Sequence, residues 1–231
     1  MSYIFHTCFY INLDRSIDRR TVFENNYKNC FKKLIRISAI DGNTLKDNRT
    51  KLSKNELGCL MSHFKAIKLA HELNLDDLLI MEDDLYIDYI HKWKYSINDI
   101  VSHAFPDTEC IQLHCIWPWE VVKMLENKLL FCDWNDNKFS TGCYYINKKG
   151  IKKIVEIIDS TDEKDYNSSD IFIYKHLKTY TFTRPLFNHQ TNNSLIHNNH
   201  LKIHYWSSEL IKKYFKYIDN KKKFIGNIKK I

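Results

Sequence analysis

Short apolar runs alternate along this chain with longer stretches in which apolar residues recur at helical spacing. The runs predict strands, at residues 8–13, 34–38, 78–81, 110–114, 143–146 and 180–183. The clearest helical pattern covers residues 53–73, where Ser53 and Glu56 have the spacing of a capping box. A second helix is predicted after Asn147, a residue type favoured as an N-cap. Strands that alternate with helices predict an α/β fold, with a Rossmann-like, mostly parallel sheet flanked by helices.

The run at 78–81 is the most informative one, because it ends in Glu82, Asp83 and Asp84. A short apolar run bounded by acids is typical of a buried parallel strand, and open α/β sheets bind ligands at the carboxyl ends of such strands. Three neighbouring carboxylates repel one another unless a cation lies among them, and hard oxygen ligands suit Mg²⁺ or Mn²⁺. The alternative is a solvated strand end or the acidic start of a helix.

Polar or small residues also follow the first two predicted strands. Arg19, after the first strand, would engage phosphate or base edges by bidentate hydrogen bonds, or else form local pairs with aspartates. After the second strand, the small Ala39 would let a ring approach the backbone, and Asp41 before Gly42 would bind a base or ribose. The alternative for this segment is an ordinary Asp-Gly turn.

Three further positions are candidates for close packing or chemistry. Gly58 lies inside the predicted helix, where glycine costs about 1 kcal/mol relative to alanine, so another group is expected to approach it closely. His63 lies beside the apolar stripe of that helix and reads as a core histidine rather than a catalytic one. Asp170 begins a predicted helix and is either a general base in a cleft or an exposed acid.

Three histidines late in the chain are candidate metal ligands. His189 follows the last predicted strand and would be supplied to a metal site from far along the chain. His197 and His200 form a second pair, but their Asn-rich surroundings make them weak evidence for a metal.

Composition argues against several classes of protein. Five glycines cannot form the usual dinucleotide-binding or P-loop motifs, so a nucleotide would have to be held by a metal and side chains. Seven scattered cysteines without a Cys-x-x-Cys pair favour reduced thiols in the cytoplasm and argue against structural zinc. No apolar run reaches the roughly 18 residues of a membrane span, and the N-terminus lacks the pattern of a signal peptide.

Charge divides the chain near residue 200. Residues 201–231 hold nine lysines and two acids, whereas residues 1–200 are balanced, with 26 basic and 26 acidic residues. We therefore expect one domain at 1–200 and a lysine- and aromatic-rich tail at 201–231. The tail would make peripheral contact with an anionic membrane or an acceptor surface, or else form a helix that packs its aromatic residues. The neutral body argues against nucleic-acid binding, which depends on phosphate neutralisation.

Five ordered segments of this chain together resemble glycosyltransferase family 25, which includes lipooligosaccharide and procollagen galactosyltransferases. The resemblance spans about residues 8–196. The matching segments are Ile11-Asn12-Leu13-Asp14-Arg15 with Asp18-Arg19-Arg20, Ala39-Ile40-Asp41-Gly42, Leu52-Ser53 with Glu56-Leu57-Gly58-Cys59 and Ser62-His63, Ile80-Met81-Glu82-Asp83-Asp84, and Thr141-Gly142-Cys143-Tyr144-Tyr145-Ile146 with Gly150. Asp170 falls where the family has an acid.

The resemblance implies a GT-A fold and transfer of a hexose from a nucleotide sugar, usually a UDP-sugar, with inversion at the anomeric carbon. It implies that Asp84 binds Mn²⁺ or Mg²⁺, that His189 completes the metal shell, and that Asp170 is the catalytic base. The implied nucleotide-sugar-binding residues are Asn12, Arg19, Ala39, Asp41, Gly42, Glu82 and Asp83. Of these, Glu82 would lie near the ribose.

The implied acceptor is a glycan, a glycolipid such as lipopolysaccharide, or a hydroxylysine-type protein side chain. Two alternatives stay open. One is a module of the same fold that binds a nucleotide sugar without transferring it, and the other is a nucleic-acid-binding protein that uses the basic tail.

Overall fold

A seven-stranded sheet with helices on both faces forms the body of the protein. The structure is a computed structural model and describes residues 4–46, 49–190 and 201–218. The strands of these ranges are β1 (Phe5–Asn12), β2 (Phe31–Ser38), β3 (Asp77–Glu82), β4 (Leu85–Tyr86), β5 (Cys110–Gln112), β6 (Phe131–Asp133), β7 (Cys143–Asn147), β8 (Thr179–Phe182) and β9 (Asn188–His189). The helices are α1 (Ile17–Tyr27), α2 (Lys54–Glu72), α3 (Ile97–Ser102), α4 (Pro118–Glu126), α5 (Lys148–Ser160), α6 (Ser169–His176) and α7 (Leu201–Tyr217).

The order of strands in the large sheet is β2-β1-β3-β7-β5-β8-β6, and β4 pairs with β9 in a separate two-stranded sheet. Five strands run in one direction, whereas β7 and β6 run against them. The predicted α/β fold with a mostly parallel sheet is therefore confirmed. The sequence pattern did not predict the reversal of β7, which has consequences for the site.

Each predicted strand is present, with shifted ends. The predicted strand at 110–114 is two residues too long, because β8 pairs with β5 only along Cys110–Gln112. The strands β4, β6 and β9 were not predicted, since two or three residues are too few to show a hydrophobic period.

The strand β3 is buried on both faces, as its continuous apolar run predicted. Leu79 and Met81 belong to a core cluster that includes residues of α1 and α3, whereas Leu78 and Ile80 belong to a cluster with residues of α2, α5 and α6. Full burial of such side chains stabilises the fold by about 1.5–3 kcal/mol each. The carboxylates after this strand are thus attached to one of the most firmly held elements of the protein.

Both predicted helix caps are present. In α2, the Ser53 side chain accepts a hydrogen bond from the amide of Glu56, and the Glu56 side chain accepts one from the amide of Ser53. In α5, the Asn147 side chain accepts a hydrogen bond from the amide of Gly150 at 2.9 Å. These caps fix where each helix starts relative to the sheet.

The helix α7 packs against α4 and β9. Its residues Leu210, Ile211 and Phe215 are buried, and Leu210 lies in a cluster with Val121 and Met124 of α4. This agrees in part with the alternative in which the tail forms a helix that packs its aromatic residues, because Phe215 is buried whereas Tyr205 and Trp206 are exposed. The division of the chain at residue 200 stays a prediction. The His197–His200 pair and residues 219–231 lie outside the described residues, and none of the described helices has the length and apolar character needed to cross a membrane.

Candidate functional site

The carboxyl ends of β1, β2 and β3 lie side by side and bring the predicted site residues together. In the parallel ladders, Ile11 is opposite Glu82 and Asn12 is opposite Ser38. The residues that follow these strands therefore meet at one edge of the sheet, beside the point where the chain crosses from β2 over β1 to β3. Ligands bind at this kind of edge in open α/β sheets.

Asn12 and Arg19 hold Asp83. Asn12 Nδ2 donates a hydrogen bond to Asp83 Oδ2 at 2.6 Å, and Arg19 forms an ion pair with the other oxygen of Asp83. Burial raises the pKa of Asp83, and these two partners offset only part of that effect. Arg19 Nε is buried and has no hydrogen-bond partner among the described residues. A buried donor without a partner is costly, so this nitrogen is an unfavourable feature of the packing beside Asp83.

Glu82 is held on its other side by His63 and Thr141. His63 Nε2 lies 3.3 Å from Glu82 Oε1, and the Thr141 hydroxyl donates to the same oxygen at 2.9 Å. Burial alone would raise the pKa of Glu82, but these hydrogen bonds and the charge of Arg19 together lower it. His63 is fully buried, as predicted, yet it also lines the site and orients Glu82.

Asp84 is the least compensated of the three carboxylates. Its nearest cation among the described residues is Arg19, at 3.8 Å, and Arg19 is already paired with Asp83. Burial and the neighbouring charges of Glu82 and Asp83 raise the pKa of Asp84 to about 7. The side chain keeps a third of its surface open toward the cavity. An uncompensated carboxylate of this kind fits a divalent cation with hard oxygen preference.

The segment from Ala39 to Gly42 packs so closely against α2 that neither Gly42 nor Gly58 has room for a Cβ atom. A Cβ on Gly58 would lie 2.7 Å from the carbonyl oxygen of Ile40 and 2.9 Å from the amide of Gly42. A Cβ on Gly42 would in turn lie 2.4 Å from the carbonyl oxygen of Lys54. The close approach predicted at Gly58 is thus confirmed, and the approaching group is the loop after β2.

Asp41 has the two contacts expected of a turn residue beside an arginine. One carboxylate oxygen accepts a hydrogen bond from the amide of Asn43 at 3.0 Å, and the other is paired with Arg15. The Asp-Gly turn predicted as the alternative is therefore present. Asp41 and Arg15 nonetheless both line the cavity.

Asp170 lies in the first turn of α6 with its carboxylate fixed on both sides. Oδ2 accepts a hydrogen bond from the amide of Ser140 at 3.0 Å, and Oδ1 accepts from the Ser168 hydroxyl at 2.6 Å and from the amide of Ile171 at 2.9 Å. Only 8% of the residue is exposed, which disagrees with the alternative of a solvated helix-start acid. Asp170 lines the same cavity as Asp84.

Ser140 links Asp170 to a buried pair of histidines. Its hydroxyl lies 2.8 Å from His114 Nδ1 and accepts a hydrogen bond from the amide of Gly142 at 2.9 Å. Its backbone φ of 121° falls in a region that non-glycine residues rarely adopt. Strained backbone of this kind persists where surrounding contacts hold it, and it is concentrated at functional sites. This conformation has no signal in the sequence, because serine shows no preference for positive φ.

His189 reaches the site through the pairing of β4 with β9. Leu85 is opposite His189, and the amide of Gln190 donates a hydrogen bond to the Asp84 carbonyl at 2.9 Å. The predicted proximity of His189 to Asp84 in the fold is thus present at the level of the backbone.

Both ring nitrogens of His189 already have partners. Nε2 donates a hydrogen bond to the carbonyl oxygen of His204 at 2.9 Å, which leaves Nδ1 to accept from His114 Nε2 at 3.1 Å. Burial and the nearby His204 lower the pKa of His189 to about 4, and burial lowers that of His114 well below its usual range. The two rings are therefore neutral at pH 7. In this arrangement, His189 could bind a metal through Nδ1 only if the hydrogen bond from His114 Nε2 to that atom were broken.

One cavity of about 240 Å³ joins these groups, and every residue predicted for the site lines it. The cavity is also lined by residues to which the sequence assigned no role, among them His114, Ser140, Thr141 and His204. The predicted residues are Asn12, Arg19, Ala39, Asp41, Gly42, Glu82, Asp83, Asp84, Asp170 and His189. Their individual roles stay predictions.

Within the described ranges, one group of three potential metal ligands has its ligand atoms within 4.8 Å of one another, namely Cys59, His63 and Glu82. Burial raises the pKa of the Cys59 thiol well above its ordinary value, so the thiol is protonated at pH 7. His63 and Glu82 are already bonded to each other. A thiol and an imidazole are also poor ligands for Mg²⁺, so this group does not fit the predicted hard cation.

The family model of glycosyltransferase family 25 (LPS biosynthesis protein) matches residues 5–173. The chain belongs to glycosyltransferase family 25. The match includes nine of the ten predicted site residues and ends before His189. This family 25 chain is therefore a glycosyltransferase, and the resemblance seen in its ordered motifs is confirmed.

Solved structures similar to the family 25 chain have low sequence identity to it. A glycosyltransferase involved in the glycosylation of the major capsid of PBCV-1 is 10% identical, with a TM-score of 0.47 over 89% of this chain and 98% of that one. A197 from STIV is 12% identical, with a TM-score of 0.37 over 80% and 85%. The glycosyltransferase GlyE of Streptococcus pneumoniae TIGR4 is 10% identical, with a TM-score of 0.43 over 91% and 63%. A comparison with curated proteins finds no match.

Proposed function

We propose that this family 25 chain is a metal-dependent, inverting glycosyltransferase that moves a hexose from a UDP-sugar to a glycan, glycolipid or hydroxylysine-type acceptor. The observation that carries the proposal is the position of two carboxylates on one cavity. Asp84 is poorly compensated and fits a divalent cation, whereas Asp170 is held in place by the amide of Ser140. The environment of Asp84 suits metal binding, and the fixed position of Asp170 suits acceptance of a proton.

Asp84 would hold Mn²⁺ or Mg²⁺ at the end of β3. When bound, the cation would stabilise the negative charge that develops on the departing diphosphate. Arg19 lines the same cavity with its guanidinium 3.8 Å from Asp84, which supports a role for this side chain on the same phosphates. Glu82 and Asp83, each held by hydrogen bonds, would position the donor beside Asp84 rather than bind the metal.

The nucleotide would lie along the loop after β2. The small side chain of Ala39 leaves the backbone open to a planar base, and Asp41 with Arg15 supplies charged groups at the same wall. Asn12 would act indirectly, because its amide holds Asp83.

Asp170 would act as the general base. In a single displacement, the acceptor oxygen forms a bond to the anomeric carbon while the bond from that carbon to the diphosphate oxygen breaks. The electron pair of the broken bond leaves with the diphosphate, and the proton of the acceptor hydroxyl passes to Asp170. Attack on the face opposite the leaving group inverts the anomeric carbon.

Isothermal titration with UDP, in the presence and absence of Mn²⁺, is the first test. The proposal expects UDP binding that depends on the metal, followed by slow metal-dependent hydrolysis of one sugar in a panel of UDP-sugars. UDP binding that does not depend on Mn²⁺, or no UDP binding at all, contradicts the proposal. Metal-dependent binding without hydrolysis or transfer of any donor would instead favour the non-catalytic binding module.

The nucleic-acid alternative is tested by removing residues 219–231, which hold five of the nine lysines of the tail. This deletion leaves the packed part of α7 in place. That alternative is favoured if the deletion abolishes nucleic-acid binding and if neither the full chain nor the deletion variant hydrolyses a UDP-sugar. Donor hydrolysis that survives the deletion supports the glycosyltransferase.

A further inference from the structure

A second cavity, of about 340 Å³, shares no lining residue with the cavity of the candidate site. Its walls come from residues 92–95, from the end of α4 and the residues after it, from residues 182–186, and from the C-terminal end of α7. The helix α7 contributes His204 to the first cavity and Tyr214 to the second. Ten residues of helix rise about 15 Å, so a ligand in the second cavity would be bound apart from the nucleotide sugar.

The two cavities differ in the sign of their charge. Among the described residues, four cationic side chains line the second cavity and no acid does, and the cations are Lys92, Lys94, Lys128 and Arg184. The first cavity is lined by six acids and two arginines. Since a cleft lined by charges of one sign attracts ligands of the opposite sign, the second cavity suits an anion.

The partners of these cations are neutral oxygen atoms. Lys92 Nζ donates a hydrogen bond to the carbonyl oxygen of Phe215 at 2.6 Å. Arg184 donates to the carbonyl oxygens of Met124 and Asn127, at 3.1 and 2.8 Å. Within residues 4–46, 49–190 and 201–218, no carboxylate forms an ion pair with any of the four cations. Their charge is therefore not neutralised by an acid of this part of the chain.

Helix ends offset only part of this charge. Met124 lies in the last turn of α4 and Phe215 in the last turn of α7, so Arg184 and Lys92 meet the negative ends of two helix dipoles. Each helix end is equivalent to about half an elementary charge, so two ends offset about one of the four positive charges and an excess of about three remains.

The rest of the wall is aromatic and aliphatic, and two of its rings are fixed by contacts. Trp93 Nε1 donates a hydrogen bond to the carbonyl oxygen of Leu186 at 2.9 Å, and the ring of Tyr95 meets that of Phe182 edge-on, with centroids 6.2 Å apart. Rings held in place lose little entropy when a ligand binds. An inorganic anion would use only the charge of this cavity, whereas an anion attached to an apolar group would use both the charge and the wall.

We propose that the second cavity binds a phosphate monoester whose other part is apolar, supplied either as a soluble aryl or alkyl phosphate or as the headgroup of a phosphatidic-acid-type lipid. Such a phosphate carries about −1.5 to −2 charges at pH 7, which matches an excess of about three positive charges better than a single carboxylate does. Guanidinium and ammonium groups are common phosphate ligands. The apolar part would lie against Trp93 and Tyr95. This site goes beyond the proposed function, because none of its residues lines the first cavity.

The sequence that follows Ile218 is a poor match to the same cavity. Residues 219–231 hold five lysines and one acid, so their net charge has the same sign as that of the cavity. Charge therefore favours a separate anionic ligand over this segment of the chain.

The test uses the double variant Lys94→Gln/Lys128→Gln, because both lysines are exposed and their loss leaves the helix-end contacts of Lys92 and Arg184 in place. The control is Lys32→Gln/Lys152→Gln, which changes the net charge equally at exposed lysines that line neither cavity. Isothermal titration measures the binding of phenyl phosphate, hexyl phosphate, inorganic phosphate and phenol at low and high ionic strength.

We expect the wild type to bind phenyl phosphate with a Kd of about 1 mM or lower, and at least about fivefold more tightly than inorganic phosphate or phenol. The double variant should bind it about five- to thirtyfold more weakly, and the control variant within about twofold of the wild type. Added salt should weaken binding to the wild type more steeply than binding to the double variant. UDP-sugar hydrolysis should stay within about twofold in both variants.

Vesicles of phosphatidylcholine, with and without phosphatidic acid, distinguish the two sources of the phosphate. Binding to phosphatidic acid vesicles that is lost in the double variant and kept in the control supports a lipid. Binding of phenyl or hexyl phosphate without binding to vesicles supports a soluble phosphate ester.

The proposal is overturned if the wild type binds neither these esters nor the phosphatidic acid vesicles, or if the double variant binds them as tightly as the wild type does. It is also overturned if inorganic phosphate binds as tightly as phenyl phosphate, which would mean a site for an adventitious anion only. An equal loss in the control variant would show that net charge alone attracts the ligand, and it would overturn the proposal as well.

Discussion

The backbone amide of Ser140 donates a hydrogen bond to Oδ2 of Asp170, with 3.0 Å between the two atoms. Ser140 lies just before β7 and Asp170 lies in the first turn of α6, so a strained loop orients the candidate base. Because a backbone donor cannot rotate away as a side chain can, the carboxylate is presented to the cavity in one orientation.

Replacement of this carboxylate separates chemistry from binding. Asp170→Asn keeps the shape of the side chain and one oxygen for the Ser140 amide, but it cannot accept a proton from the acceptor. We expect the transfer rate to fall by about 10²–10⁴-fold, the usual contribution of a general base, with little change in UDP affinity. Steady-state kinetics and isothermal titration measure the two quantities.

Asp162→Asn is the matched control, because Asp162 also lies at the start of a helical turn but is exposed and does not line the cavity. It should leave both the rate and the UDP affinity unchanged. If Asp170→Asn lowered rate and affinity by the same factor, Asp170 would be a binding or structural residue.

The strain at Ser140 is tested by two substitutions that both remove its hydroxyl. Ser140→Gly relieves the unfavourable φ of 121°, whereas Ser140→Ala retains it. We therefore expect the glycine variant to be more stable than the alanine variant by about 1–3 kcal/mol, measured as the free energy of unfolding in urea. Both should be less active than the wild type, since His114 and the amide of Gly142 lose their partner. Equal stability of the two variants would contradict strain at this residue.

The metal assignment of Asp84 predicts opposite effects on stability with and without a cation. Asp84→Asn removes one of three crowded carboxylates, so the melting temperature without metal should stay the same or rise. The increase in melting temperature that Mn²⁺ causes by binding to the folded state should be lost, together with metal-dependent turnover. Differential scanning fluorimetry over a series of Mn²⁺ concentrations measures this.

Asp88→Asn provides the comparison, because Asp88 is an exposed acid four residues further along the chain. It should keep the Mn²⁺-dependent rise in melting temperature. If Mn²⁺ raised the melting temperature of Asp84→Asn as much as that of the wild type, and if activity were retained at saturating Mn²⁺, Asp84 would be rejected as the metal ligand.

The contact between α2 and the loop after β2 makes Gly58 sensitive to a single methyl group. Alanine would gain about 1 kcal/mol of helix propensity, but its Cβ would meet the backbone of Ile40 and Gly42 at under 3 Å. We expect Gly58→Ala to lose about 1–3 kcal/mol of stability from overpacking and to bind UDP more weakly as Ala39 and Asp41 shift. Met61→Ala, at an exposed position of the same helix, should change neither. UDP affinity equal to that of the wild type would show that this loop does not touch the nucleotide.

The parallel half of the sheet explains why most of the site could be predicted. Glu82, Asp83 and Asp84 directly follow an apolar run, and Asn12 lies near the end of another. Because parallel strands end at the same edge, residues that follow them in sequence are near one another in space. The β1–β3 register places Ile11 opposite Glu82 and so brings Asn12 to Asp83.

The reversed strand β7 explains what could not be predicted. Since β7 runs against β3, the residues that precede it, Ser140 to Gly142, arrive at the edge where the parallel strands end. A search of the sequence for polar residues that follow predicted strands therefore does not find them. The position of His204 depends on the packing of α7 against β9, and a two-residue strand shows no sequence period. His189 was predicted as a site residue, but its contacts with His114 and His204 were not.

The start of β5 provides a test of stability far from the cavity. Glu109 is buried and accepts hydrogen bonds from Lys153 and from the amide of Lys178, with Lys149 at 2.9 Å. Burial alone would raise the pKa of Glu109, but these partners outweigh it and lower the pKa to about 2.

Because the folded-state pKa lies below the unfolded value, the stabilisation from Glu109 is complete above about pH 5 and is lost as the pH falls toward 2. We expect Glu109→Gln to lower the free energy of unfolding by about 1–3 kcal/mol at pH 7, with the difference from the wild type shrinking between pH 4.5 and 2. Glu156→Gln, which removes only an exposed pair at 4.0 Å, should show almost no difference at any pH. Urea unfolding at several pH values measures both variants, and a difference at Glu109 that did not change with pH would mean that packing, not charge, holds β5 to α5.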